Sequence, residues 1–265
     1  MRRSLAFLVL LAGCGAEAAP TSDRSRAAVD DAPLPPHELV VFATDSLRRP
    51  FELLAKHYEA AHPGAKVTLR CEGGAQLLDA MNGGTPCDVI AIGDSSLMSR
   101  FSAAAHLAGG SPVELARSRI AIVVAKGNPK GVKSLDDFAR NDVRVALGTR
   151  SSSIGRHGRW VLSRIPIERE PSVEAPTAAG VVAKVVAGEA DAGIVYLTSF
   201  AGAEAAVERV DVDEAHNTPV LYSLSATRLA AQPRGAAAFR ALAVGPAGQQ
   251  ILRDAGFLPI GAKSP

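Results

Sequence analysis

The chain has 265 residues, 47% hydrophobic and 21% charged, a balance that excludes disorder and fibrous repeats and allows one large globular domain or two smaller ones. Its net charge of +2, from 29 basic and 27 acidic residues, supplies no field to hold a nucleic-acid backbone. With 8 Phe, 3 Tyr and 1 Trp, a site that stacks rings on sugars or flat cofactors is disfavoured, and a small polar ligand fits better.

Met1, Arg2 and Arg3 precede an apolar run over 5–12, too short to span a bilayer but right for the core of a signal peptide. The run ends Leu11-Ala12-Gly13-Cys14, which resembles a bacterial lipobox. Residues 1–13 are therefore expected to be a signal peptide and Cys14 the acylated mature N-terminus. A plain secretory peptide cleaved among the small residues up to Ala19 is the other reading, and either one exports the protein. Residues 14–37, rich in Ala, Ser, Asp and Pro, read as a flexible tether.

Strands and helices then alternate. Residues 38–44 form a β-branched apolar run, followed by a helix with the stripe Phe51, Leu54, Ala55 and Tyr58, whose first turn accepts Pro50. A strand is expected at 66–70, a helix at 75–81 with Leu77, Leu78 and Met81 inward, a strand at 88–92, and a helix opened by Asp94 and Ser95 that runs through Phe101. This βαβαβ order implies right-handed crossovers and a parallel sheet covered on both faces. The pattern restarts with the strand in IAIVVAKGNP and a short helix carrying a Ser134/Asp137 capping box. A strand at 143–147, a helix at 154–165, a helix at 178–187 with Val181, Val182, Val185 and Val186 inward, and a strand at 191–196 follow. A last strand over 219–226 and two helices, the second started by Pro246, are too few for a third domain and are expected to complete the first. Lobe I then comprises 38–118 and 219–265, lobe II comprises 119–218, and the two crossovers make a hinge.

No G-x-S-x-G, H-E-x-x-H, P-loop or C-x-x-C pattern occurs, and the six histidines share no spacing that would put two on one metal. The histidines read as surface residues. An enzyme is not expected, nor a cofactor, nor a metal except within a bound oxyanion. What remains are polar loops at the ends of strands, where open parallel sheets hold ligands. They are Thr44-Asp45-Ser46, Glu72-Gly73-Gly74-Ala75, the hydroxyl-rich loop from Thr149 to Gly155 that includes Ser153, and Tyr196 at the end of DAGIVY. Hydroxyls and backbone N–H groups from both halves suit a compact anion, which neutral donors can hold at roughly 1.5 to 3 kcal/mol per charge-assisted bond. Arg48, Arg49, Arg150 and Arg156 are candidates to steer an anion to the mouth of such a site.

The segments VVFATDSL, HPGAKVT, GGTPCDVIAIGD, IAIVVAKGNP, VALG, GEADAGIVYLTS and GPAGQQIL, in this order, resemble the periplasmic molybdate-binding proteins of ABC transporters over nearly the whole mature chain. The resemblance implies an α/β fold with two lobes, each a mostly parallel sheet flanked by helices, that clamp molybdate or tungstate and deliver it to membrane permease subunits. It also implies a monomer at the periplasmic or outer face of the envelope, held to the membrane only by the Cys14 lipid. Ser46 and Tyr196 match the family's hydroxyl donors, and Ile154 and Ala178 fall where it uses main-chain N–H groups. Gly74 stands where the family has a serine, with Glu72 just before it. Asp45, Ala75 and Ser153 are further candidates. The alternatives are a clamp for another tetrahedral oxyanion, such as sulfate or phosphate, or a sensory lipoprotein that presents its ligand to a membrane receptor. In the implied strand order Cys71 and Cys87 lie at opposite ends of strands separated by a third, so both are expected to be free thiols.

Overall fold

A computed structural model describes residues 33–110, 112–166, 170–217 and 219–261. The expected signal peptide, the lipidation site Cys14 and the tether before residue 33 lie outside the described residues. All the elements fall in the unit Leu34–Pro265.

Strand β1, His37–Thr44, buries Leu39, Val41 and Ala43 on one face and Phe42 on the other, because a strand covered on both faces must be apolar on both. A 3-10 turn, Asp45–Leu47, leads into α1, Arg48–Ala61, whose buried face is Pro50, Phe51, Leu54, Ala55 and Tyr58. Then come β2 (Ala65–Glu72), α2 (Gly74–Asn82), β3 (Val89–Ile92), α3 (Ser95–Ala103), β4 (Val113–Ser118) and β5 (Ile120–Ala125). After a 3-10 helix, Leu135–Ala139, follow β6 (Val145–Gly148), α4 (Ser153–Leu162), β7 (Val173–Ala175), α5 (Ala178–Val186), β8 (Ala192–Tyr196) and β9 (Val207–Asp211). The chain ends with β10 (Val220–Ala226), α6 (Pro233–Val244) and α7 (Pro246–Asp254). Among the described residues no helix is long and apolar enough to cross a membrane.

Two five-stranded sheets result, ordered β2-β1-β3-β10-β4 and β7-β6-β8-β5-β9. In the first, β1 runs parallel to β2 and β3, while β10 is antiparallel to β3 and β4. In the second, β6 runs parallel to β7 and β8, while β5 is antiparallel to β8 and β9. The chain thus passes from the first sheet to the second between β4 and β5 and returns between β9 and β10. Asn217 ties the two passages together: its side chain accepts from the Ile120 N–H and donates to the Ile120 carbonyl, at 3.0 and 2.8 Å. Because β1 lies between β2 and β3, Cys71 and Cys87 stay apart as free, buried thiols, and burial pushes both up to about 12.

Several local expectations need correction. The helix expected to reach residue 165 ends at Leu162, since Pro166 disfavours a helical conformation at the residue before it. Val186, placed on the apolar face of α5, is 51% exposed; it stands about 100° round the helix from Val185. The capping box of Ser134 and Asp137 is present, but on a 3-10 turn. The histidines are not a surface set: His57 is exposed, whereas His37 and His157 are half-buried and hydrogen-bonded to tyrosines.

Candidate anion site

Five strand ends supply the site. After β1, β2, β6, β7 and β8 the chain turns within a few residues into a helical segment, so first-turn N–H groups lie at one end of the sheets. In α4 the cap Ser152 accepts from the Gly155 N–H, and in α5 the cap Thr177 accepts from the Gly180 N–H. The first-turn N–H groups of Ile154 and Ala178 have no acceptor within their helices. Gly155 permits this arrangement in α4, because a Cβ there would lie 1.9 Å from the Thr149 carbonyl oxygen.

These ends line a common cavity of about 540 Å³. Ser46, Gly74, Ile154, Ala178 and Tyr196 all face it, as do Asp45, Ala75 and Ser153. The first sheet contributes Ser46 and Gly74; the second contributes the other three of the first set. The structure therefore brings together every candidate that the sequence singled out for the ligand. Of the four arginines considered for steering, Arg48 and Arg49 are at the cavity; Arg156 pairs with Asp94 and Arg150 with Glu170.

A Cβ at position 74 would stand 2.2 Å from Leu97 Cδ2, so a serine there would require the Leu97 side chain to shift. Glu72 is held by Arg70 through two bonds of 2.9 and 3.0 Å, and Asp45 by Arg48 at 2.9 Å, so neither carboxylate presents an uncompensated charge to the cavity.

The hydroxyls carry partners that sequence reasoning missed. Ser46 Oγ lies 3.0 Å from the Tyr222 hydroxyl, and the Tyr196 hydroxyl lies 2.8 Å from His157 Nδ1. The Tyr196 and Tyr222 rings meet edge-on with centroids 6.5 Å apart, placing a phenol of each sheet side by side. Burial pushes both phenols well above their ordinary range, so they stay protonated donors. Ser153 Oγ and Arg156 both donate to Asp94, which also caps α3, so this carboxylate bridges the first sheet's α3 and the second sheet's α4. Burial alone would raise the Asp94 carboxyl, but the bonds from Ser96, Arg156 and the Leu97 N–H bring it down to about 2. Thr44 Oγ1 and Thr198 Oγ1, both on residues lining the cavity, are buried without a hydrogen-bond partner. Among the described residues no cluster of His, Cys, Asp and Glu could hold a metal ion. Helix N-termini and hydroxyls together make a seat for a small anion.

Residues 39–258 match the family described as bacterial extracellular solute-binding protein. The molybdate-binding protein ModA of Mycobacterium tuberculosis is 31% identical over 219 residues, 83% of this chain and 84% of that one. The fold is similar to the periplasmic molybdate-binding protein of Azotobacter vinelandii, with a TM-score of 0.72 and 19% identity over 83% of this chain and 98% of that one. It is also similar to the substrate-binding domain of a putative molybdenum ABC transporter from Clostridium difficile, with a TM-score of 0.67 and 20% identity over 84% and 99%.

Proposed function

The chain belongs to the bacterial extracellular solute-binding proteins, and we propose that it captures molybdate or tungstate outside the cytoplasm and delivers the ion to the permease of an ABC transporter. One observation carries this reading: donors from both sheets, Ser46 and Gly74 on one side and Ile154, Ala178 and Tyr196 on the other, line a single cavity. Ser46 and Tyr196 give hydroxyl bonds to the ion, and Gly74, Ile154 and Ala178 give main-chain N–H bonds. Neutral donors hold a dianion without the desolvation of a buried Lys or Arg. No bond to the ligand is made or broken, so the protein binds and does not catalyse.

The lobes are 38–118 with 219–265 and 119–218, and they close about the two crossovers pinned by Asn217. Residues 1–13 serve as the export signal and Cys14 as the lipid anchor, with the protein acting as a monomer at the envelope.

Calorimetry of the purified protein with molybdate, tungstate, sulfate and phosphate tests the reading. Micromolar or tighter binding of the first two, with none of sulfate, is expected. Tight binding of sulfate or phosphate with none of molybdate reassigns the site to another oxyanion.

A further inference from the structure

The Tyr196 hydroxyl has one proton and two demands on it. Its oxygen lies 2.8 Å from His157 Nδ1, and it faces the cavity where, on the reading above, an oxyanion that offers only acceptors is held. If Tyr196 donates to the imidazole, it turns lone pairs toward the anion and repels it. If the imidazole donates to Tyr196, the phenol proton is released toward the cavity. Only the second arrangement is compatible with binding.

We propose that His157 is the positioning residue for anion capture, its Nδ1–H donating to the Tyr196 oxygen so that the phenol proton faces the ligand. This rests on the oxyanion reading of the site and deepens it. The placement follows from α4 itself. Ile154, whose main-chain N–H is a donor of the proposed seat, and His157 are three residues apart and so on one face of the helix, with the imidazole one turn below the N-terminus. The rings of His157 and Tyr196 meet edge-on, centroids 5.8 Å apart.

A neutral imidazole carries the needed proton in only one of its two tautomers, whereas an imidazolium always carries it. The charge of the bound dianion favours the imidazolium over the neutral Nδ1–H tautomer, so ion capture and protonation of His157 are coupled, and by reciprocity the bound anion draws a proton onto the ring. The groups facing this pair are Asp94 ahead of α3, Arg156 on α4, and Tyr222 on β10. Burial lowers the imidazole below its ordinary value, while Asp94 raises it and Arg156 lowers it.

The experiment is molybdate calorimetry from pH 5.5 to 8.5 on the wild type, His157→Asn and His157→Leu, in buffers of different ionisation enthalpy, with the variants serving as the reference for the ligand's own protonation. The wild type is expected to gain at least threefold in affinity per pH unit on acidification, up to the tenfold that one coupled proton allows, and to take up protons on binding. His157→Asn, whose amide N–H₂ stands near the Nδ1 position but does not titrate, is expected to lose the slope and to bind more tightly than His157→Leu, which falls at least tenfold at pH 6. A wild type that binds molybdate with no proton uptake, or a slope that persists in His157→Asn, overturns the inference and leaves the oxyanion reading intact. Because the proton uptake is read on the unaltered protein, a variant that fails to fold does not shield the proposal. Failure of the wild type to bind any of the four oxyanions overturns both.

Discussion

At the residue scale, the two proposed side-chain donors have partners distant in sequence. Ser46 resembles Tyr196 in needing a donor behind it: if Tyr222 gives its proton to Ser46, the serine hydroxyl is released toward the cavity. Tyr222→Phe removes that donor while keeping the ring against Phe257, its edge-on partner at 5.0 Å. We expect molybdate affinity to fall about tenfold, from roughly 1 to 1.5 kcal/mol of lost hydrogen bonding, with unfolding free energy changed by no more than about 1 kcal/mol. Titration calorimetry and urea unfolding of the variant read the two quantities separately. The place of Ser46, Gly74 and Tyr196 at the cavity was legible because each ends a strand or opens a helix in a recognisable segment. Tyr222 and His157 were not, since their partners lie 176 and 39 residues away and only the folded sheet order brings them together. Gly74 was visible in the sequence, but its close approach to the Leu97 side chain was not.

At the scale of elements, the strands that the sequence left unassigned are β4, β7 and β9, and each is an edge strand. β9 reads VERVD and β4 reads VELARS, with charges where a central strand would be apolar; such charges blunt an edge against pairing with another chain and also erase the apolar run that periodicity detects. The central strands β1, β3, β5 and β8 were plain because both of their faces are covered. The helices that open the site were equally plain, yet how closely they approach was not. In α4 the first turn sits so near the end of β6 that Gly155 has no room for a methyl: the obstacles are the Thr149 and Gly148 carbonyl oxygens, at 1.9 and 2.5 Å, and both belong to backbone. Gly155→Ala must therefore push α4 off the sheet. It is expected to destabilise by about 2 to 3 kcal/mol and to displace the Ile154 N–H from the seat. Chemical denaturation reads the first effect, and a loss of molybdate affinity in the fraction that remains folded reads the second. Unchanged unfolding would mean that the turn relaxes freely.

For the molecule as a whole, two sheets joined by two passages need one contact that fixes the hinge and another that responds to its closure. Asn217, bonded to both polar groups of Ile120, fixes the passages against each other. Across the cavity Asp94 performs the second task, since its carboxylate accepts from Ser153 and Arg156 of the opposite sheet's α4 while capping its own α3. If the two lobes separate, the capping bond stays within one of them, while the bonds to α4 must break. Asp94→Asn keeps a cap at the start of α3 but gives up the ion pair, so it favours the open form. The expected result is faster molybdate release, by about fivefold, with a smaller change in capture rate, measured by stopped-flow competition with excess tungstate. The pH dependence has a definite sign. The folded-state carboxyl, at about 2, lies below its ordinary 3.8, so its contribution to stability is fully present above pH 4 and disappears as the pH falls toward 2. Wild type and Asp94→Asn should therefore differ in urea midpoint at pH 6 and converge near pH 2. A gap that stays constant down to pH 2 would mean that the ion pair adds nothing to the fold, and an unchanged release rate would mean that Asp94 plays no part in holding the two halves closed.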